Sequence, residues 1–307
     1  MLAAALALAA CGGAAPAVSG AAASTGASAG PSAAAGGSVA AKPSAAASAN
    51  MPTVTVQGST SCGIGFFTLC MAKDFNIFEK HGLHLNLITI PTPQAIPAMQ
   101  KGDLQFVATI GSAGRAIERG FPMKIVEVSV RRPALAVVGG PGITKIEDLR
   151  GKVLSAGPGD DSATQLPIAD LNRHGLPPKS YQVLNSGNDP AARLAAVDNH
   201  NAQATVLDLV QWLQLQDQLK PKGYTELLNT LKELDLPYGG LAATTDYMRS
   251  NPDIVRRAVA ASIEAAQRTN TDKDAFVSVM QKELKVQPDL AAQLFEEFKQ
   301  DSVWQTD

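Results

Sequence analysis

The chain has 307 residues, 26 basic and 28 acidic side chains, a formal net charge of −2 and an apolar fraction of 45%. Such an even balance argues against a nucleic-acid partner, which asks for clustered basic surface. The length leaves room for a large core or for two lobes.

The first eleven residues, MLAAALALAAC, are an apolar run that closes on Leu8-Ala9-Ala10-Cys11. A run this short cannot cross a bilayer, which takes about 20 apolar residues, and it fits the apolar region of an export signal. Small residues directly before a cysteine resemble the lipobox of bacterial lipoproteins. That resemblance implies a mature chain beginning at Cys11, anchored to the membrane by a diacylglycerol on its thiol. No Lys or Arg precedes the run, whereas export signals normally begin with positive charge. Residues 12–51 are almost wholly Ala, Gly, Ser and Pro with Lys42 the only charge, a tether that cannot bury a core. As a flexible coil it spans roughly 35 Å.

From residue 53 strand and helix alternate. TVTVQG reads as a strand, CGIGFFTLCMAKDFNIFEKHG as a helix ending at Gly82, and LHLNLITI as a strand. Thr92 and Pro93 open a helix over QAIPAMQKG, followed by the strand LQFVATIG, the helix SAGRAIERG and the strand FPMKIVEVSV. Cys62 and Cys70, eight apart on one helix, would stand about 12 Å apart by the helical rise, too far for a disulfide. Both are expected to be small buried or pocket-wall residues. A second series starts with Thr144 and Glu147 as a capping box. It continues with the strand KVLSAG, a helix from about Asp161 to His174, the strand YQVLN, a helix capped by Asp189, the strand QATVLD and the helix LVQWLQLQDQLK. After LPYGGLAATT the chain is helical, with Asn251-Pro252 and Gln287-Pro288 opening two helices. The alternation predicts an α/β fold of open, mostly parallel sheets covered by helices.

The stretch GKVLSAGPGDDSATQ has the strand, glycine turn and helix of a phosphate loop but not its chemistry. No lysine follows Gly157 and Gly159, Ser162 replaces the third glycine of a dinucleotide fingerprint, and Asp160 and Asp161 would repel a polyphosphate. It is either a plain helix cap or one wall of a ligand site. In open α/β sheets ligands bind beyond the carboxyl ends of the strands. That rule gathers Ser59, Thr60, Ser61 and Cys62, then Gly111 and Ser112, then Gly157 to Ser162 including Gly159, Asp160 and Asp161, then Ser186 to Asp189, and Asp208. Phe66 and Tyr238 join this set, although an aromatic at a helix start also suits a core, as does Trp212 after Asp208. Arg115, Arg131 and Arg132 pair with an anion or stand in solvent.

The runs AKDFNIFEKHGLHLNLITI, AIPAMQKGDLQFVATIGSAGRAIERGFPMKIV, ITKIEDLRGKVLSAGPGDDSA, DPAARLAAVDNHNAQATVLD and NPDIVRRAVAASIEAAQ together resemble the bacterial ABC-transporter solute-binding proteins of the nitrate, sulfonate and taurine class. That class includes relatives that bind thiamine-pyrimidine precursors. The resemblance implies a two-lobed type II periplasmic-binding fold, with residues 52–133 and 238–307 in lobe I and 134–237 in lobe II. The crossovers then lie near Arg131 to Val138 and Leu234 to Leu241. It implies a small-molecule solute, the permease and ATPase of an importer as partners, an extracytoplasmic monomer and no cofactor. The alternatives on the same fold are an enzyme and a tethered sensor. Against an enzyme, the cysteine-rich CCCFC motif of the fungal pyrimidine synthases that resemble this class is absent, as is a G-x-S-x-G elbow. His81 and His84 have no third ligand nearby in sequence, which argues against a metal site. Asp160, Asp161 and Asp208, with no lysine among the cleft loops, favour a nitrogen-bearing organic solute over a plain oxyanion.

Overall fold

The order of elements explains how one chain makes two sheets of the same plan. The computed structural model describes residues 51–58 and 62–306; the lipobox at Cys11, most of the tether, and Ser59, Thr60 and Ser61 lie outside them. The first part runs β1 (Thr53–Gly58), α1 (Phe67–Asp74), α2 (Ile77–Lys80), β2 (His84–Thr89), α3 (Thr92–Lys101), α4 (Ile110–Glu118) and β3 (Met123–Val130). The second runs β4 (Leu135–Gly139), β5 (Val153–Ala156), α5 (Ser162–Arg173), β6 (Gln182–Asn185), α6 (Pro190–Asp198), β7 (Ala204–Asp208), α7 (Leu209–Leu219), β8 (Thr225–Asn229) and α8 (Thr230–Glu233). The chain then returns through β9 (Gly239–Thr244) to α9 (Thr245–Ser250), α10 (Pro252–Thr271), α11 (Lys273–Leu284) and α12 (Pro288–Gln300).

In the second sheet the strand order is β6-β5-β7-β4-β8. β5 runs parallel to β6 and β7, while β4 is antiparallel to β7 and β8. The first part repeats this order. β1 pairs parallel with β2, a parallel bridge joins Val56 to Phe106, an antiparallel bridge joins Val107 to Ala242, and β9 pairs antiparallel with β3. In both, the strand that enters from the other sheet, β4 or β9, is the antiparallel one, and the strand–helix alternation supplies the parallel ones. The expected strand LQFVATIG is reduced to these two bridges, because the backbone turns at Thr109 into α4. β8 and α8, absent from the sequence reading, close the outer edge of the second sheet.

Two local expectations are corrected. The segment read as one helix from Cys62 to Gly82 is a short 3-10 turn at Ile64–Phe66, then α1, then α2 after a break at Asn76, whose φ is 50°. Asn tolerates this left-handed geometry better than most residues. Because Gly63 is extended and the regular helix starts only at Phe67, Cys62 is not on the helix at all. It folds back to 6.1 Å from Cys70, Cα to Cα, and the two are joined in a disulfide. The cap near residue 144 also differs. The Thr144 N–H and hydroxyl and the Lys145 N–H all donate to Asp148, not to Glu147, which sits one position off the turn.

Packing follows from where alanine is placed. Ala258, Ala261 and Ala265 line one face of α10 and are fully buried, so α10 lies close against α1 and β3. Phe67 of α1 packs on Phe276 at 5.0 Å and on Trp304 at 5.7 Å between ring centres. The bridge from Val130 to Trp304 then holds the chain's last turn against the end of β3. None of the described helices is long and apolar enough to cross a membrane.

Candidate functional site

The carboxyl ends of β5 and β7, parallel neighbours in the second sheet, open on the same space as the end of β1 at Gly58, and the second-sheet strands β5, β6 and β7 each lead into a helix. Asp161 caps α5 by accepting the Ala163 N–H at 3.1 Å, Asp189 caps α6 through the Ala191 N–H at 2.9 Å, and Asp208 caps α7 through the Val210 N–H at 3.1 Å. Three helix N-termini, each with backbone N–H groups and positive dipole, are thus aimed at one space. Opposite them, buried Gln57 at the end of β1 accepts from the Thr109 hydroxyl at 2.8 Å and donates to the Ile90 carbonyl at 3.3 Å, which fixes three loops of the first sheet.

Between the two sets lies a cavity of about 190 Å³. Gln57, Gly63, Gly65, Phe66, Ile90 and Thr109 line it from one side, and Asp161, Ser162, Thr164, Arg193, Asp208, Gln211 and Tyr238 from the other. Four of its buried polar atoms have no hydrogen-bond partner among the described residues: Ser162 Oγ, Thr164 Oγ1, Arg193 Nε and Gln211 Oε1. Each unmet buried group costs about 1–3 kcal/mol. The unmet atoms include both donors and acceptors, so a group bearing both kinds would satisfy them.

Arg193 dominates the electrostatics. It is only 7% exposed. Burial pushes its guanidinium below the ordinary value, and Asp208, Tyr238, Asp161 and Asp189 push back. The same desolvation lifts Asp208 to about 6, opposed by the N–H groups of Val210 and Ile64 and by Arg193. Asp161 is raised for the same reason, and Tyr238 is pushed well above a normal phenol by burial next to Asp161 and Asp208. One buried cation therefore sits among carboxylates that burial makes reluctant to ionise.

Of the residues singled out in the sequence, Phe66, Asp161, Ser162, Asp208 and Tyr238 line the cavity. Cys62 is buried beside it in the disulfide. Ser112, Gly159 and Asp160 lie past the cavity wall, where α4 meets the loop before α5. The Ser112 hydroxyl donates to the Asp160 carbonyl at 3.3 Å, and Arg115 donates to the same carbonyl and to Ser112 Oγ. The Ser112 side chain and the Asp160 backbone carbonyl are used in joining α4 to this loop and do not line the cavity, because α4 begins at Ile110 and turns Ser112 toward that loop. Arg131 and Arg132 pair with Asp235, Arg131 through two contacts of 2.8 Å, so they tie the outgoing segment to the returning one. Trp212 and Phe67 are core residues.

The sequence reading missed Arg193, Gln57, Thr164 and Gln211. Arg193 stands one turn inside the helix opened by Asp189-Pro190, where an arginine in PAARLAAVD looks like an ordinary solvated residue. The one available signal was position: a residue four after a cap shares the end of the helix that the cap occupies.

Similarity to known proteins agrees with this architecture. Among curated protein sequences, none matches the chain. Its fold is similar to that of the alkanesulfonate-binding protein of Xanthomonas axonopodis pv. citri bound to MOPS, with TM-score 0.65, 17% identity, and 81% of this chain and 85% of that one covered. The periplasmic aliphatic sulphonate binding protein of Escherichia coli gives TM-score 0.62 and 17% identity over 80% of this chain and 83% of that one. The periplasmic nitrate-binding protein of Synechocystis PCC 6803 gives 0.62 and 14% over 78% and 68%. These likenesses establish the periplasmic-binding-protein fold. The family model described as NMT1/THI5 like matches residues 64–274, more than half of the chain, and the chain therefore belongs to the NMT1/THI5-like family.

Proposed function

We propose that the protein is the solute-binding component of an ABC importer, exported from the cytoplasm, held at the membrane through a lipid on Cys11, and working as a monomer with a permease and an ATPase. The observation that carries this reading is the cavity between the two sheets with its four unmet polar atoms, Ser162 Oγ, Thr164 Oγ1, Arg193 Nε and Gln211 Oε1. They are groups for holding a solute. No pair of them forms the nucleophile and base that acyl transfer needs, so binding is favoured over catalysis. The names of the structural neighbours, which report sulfonate and nitrate binding, point the same way. The Cys62–Cys70 disulfide suits an oxidising, extracytoplasmic compartment.

The charge layout narrows the solute. Arg193 offers a donor to an acidic or carbonyl oxygen, and Asp161 and Asp208 accept from an amine or ring N–H. The reading is a small organic solute bearing both kinds of group, an amine-containing acid or an aminopyrimidine, in a space of about 190 Å³. The lobes, divided near residues 133 and 237, close on it about the segments tied by Arg131 and Asp235. Native mass spectrometry of protein purified without denaturation, followed by melting with small nitrogenous acids, aminopyrimidines, alkanesulfonates and nitrate, tests this. A bound mass in the first two groups and a melting shift with the same compound are expected. Response to nitrate alone would overturn the solute class, and no response to any of them would overturn solute binding.

A further inference from the structure

A second cluster of donors sits away from the cleft, at the other end of α5, about 18 Å from the cap at Asp161 by the helical rise. Asp170 and His174 are four apart and share one helix face, and α8 brings Glu233 to them. One carboxylate oxygen from each acid and a ring nitrogen of His174 lie within 4.8 Å of one another. The His174 Nε2 to Glu233 Oε2 distance is 3.5 Å.

Asp170 supplies the independent observation. Its side chain is wholly buried, and Oδ2 has no hydrogen-bond partner among the described residues. Oδ1 accepts from Arg173 Nη1 at 3.2 Å, and the same nitrogen reaches the Glu233 carbonyl at 3.3 Å. Arg173 is 58% exposed, so water screens much of its charge and its side chain is free to swing outward. A buried carboxylate that keeps one unpartnered oxygen and shares a cluster with an imidazole and a second carboxylate is an arrangement that a divalent cation completes.

We propose that Asp170, His174 and Glu233 form a divalent-cation site whose donor set, one imidazole nitrogen and two carboxylate oxygens, suits zinc. Three protein ligands leave a fourth tetrahedral position for water. The ion would staple α8 to α5. Glu233 is the last residue of α8, and the chain then runs straight back to β9 through residues 234–238. Zinc here would therefore fix the root of the return segment without touching the cleft. Arg173 competes for the charge of the same carboxylate through Oδ1, which makes the site a moderate binder.

Calorimetric titration of the purified full chain with zinc chloride, paired with melting curves, tests the site. One zinc per chain is expected, with a raised Tm. His174→Ala and Glu233→Gln, both at exposed positions, should each weaken the binding tenfold or more, and Arg173→Ala should tighten it. Zinc that binds His174→Ala as well as the parent would place the ion elsewhere, at His81 with Glu264 or at His84 with Glu79, and overturn the assignment. Absence of both heat and melting shift up to millimolar zinc would overturn it as well.

Discussion

Asp208 and Ile64, 144 residues apart in sequence, meet across the cleft: the carboxylate that caps α7 also accepts the Ile64 N–H at 3.4 Å. The contact is possible because residue 63 is glycine, where an added Cβ would stand 2.9 Å from Asp208 Oδ2. One carboxylate thus serves a helix, a cleft loop and the charge of Arg193. Asp208→Asn keeps a good capping group but loses the charge. Its own fold should stay within about 1 kcal/mol of the parent, while affinity for an N–H-donating solute should fall by roughly 1.5–3 kcal/mol. Calorimetry with the solute found by mass spectrometry checks this, and tight binding of an alkanesulfonate or nitrate by the parent, unaffected or improved by the substitution, would contradict it.

Arg193 is the sharper test of the site. Arg193→Ala leaves Asp161, Asp189 and Asp208 without their shared buried cation, and should cost about 2–5 kcal/mol in solute binding. Arg193→Lys restores a charge without the planar fork and should recover only part of that. Equal affinity in all three proteins would exclude Arg193 from the site.

Closure can be tested at a glycine. A Cβ on Gly111 would lie 2.4 Å from Ser162 Oγ and 3.3 Å from its Cβ, where α4 meets α5. Gly111→Val should hold the two halves apart while leaving each intact. Small-angle scattering with solute should show the parent contracting and the variant keeping its unliganded radius. Contraction of both would show that this contact does not limit closure.

The Cys62–Cys70 link closes a short loop beside the cavity, and such loops stabilise by about 2–3 kcal/mol. The parent should lose that much in dithiothreitol during urea unfolding, and Cys62→Ser with Cys70→Ser should be insensitive to reductant. A parent equally stable with and without reductant would mean that the disulfide adds no stability.

Glu127 gives the pH dependence. It is buried on β3, accepts from Ser262 Oγ at 2.8 Å, and burial lifts it from 4.5 to about 7 despite the Ser262 and Ser129 hydrogen bonds. The folded state holds this proton more tightly than the unfolded chain does. Its contribution is therefore present below about pH 4.5 and is lost as pH rises through about 7. Asp208, lifted to about 6, adds a slope of the same sign at lower pH. Glu127→Gln should remove the slope nearest neutrality and stabilise the fold at pH 8 by about 1–3 kcal/mol. Parallel stability curves for variant and parent between pH 5 and 8 would refute this.

Most of the architecture was legible without coordinates. The alternation of apolar runs with capped helices specifies strands and helices locally, and Asp161, Asp189 and Asp208 announce helix starts through short-range bonds to the N–H groups two residues on. The rule that ligands meet strand ends then collected half of one wall of the cavity. Three things depended on the tertiary structure. Cys62 reaches Cys70 because Gly63 delays the helix, a matter of a single backbone setting that a helical pattern does not reveal. Ser112 and Asp160 are occupied with each other across the cleft, and sequence carries no record of which two loops will touch. Arg193 is buried because the fold brings Asp208, Tyr238 and Asp161 up to it. Desolvation is a property of everything packed around a side chain, and the same residue four places after a cap would be solvated in most other folds.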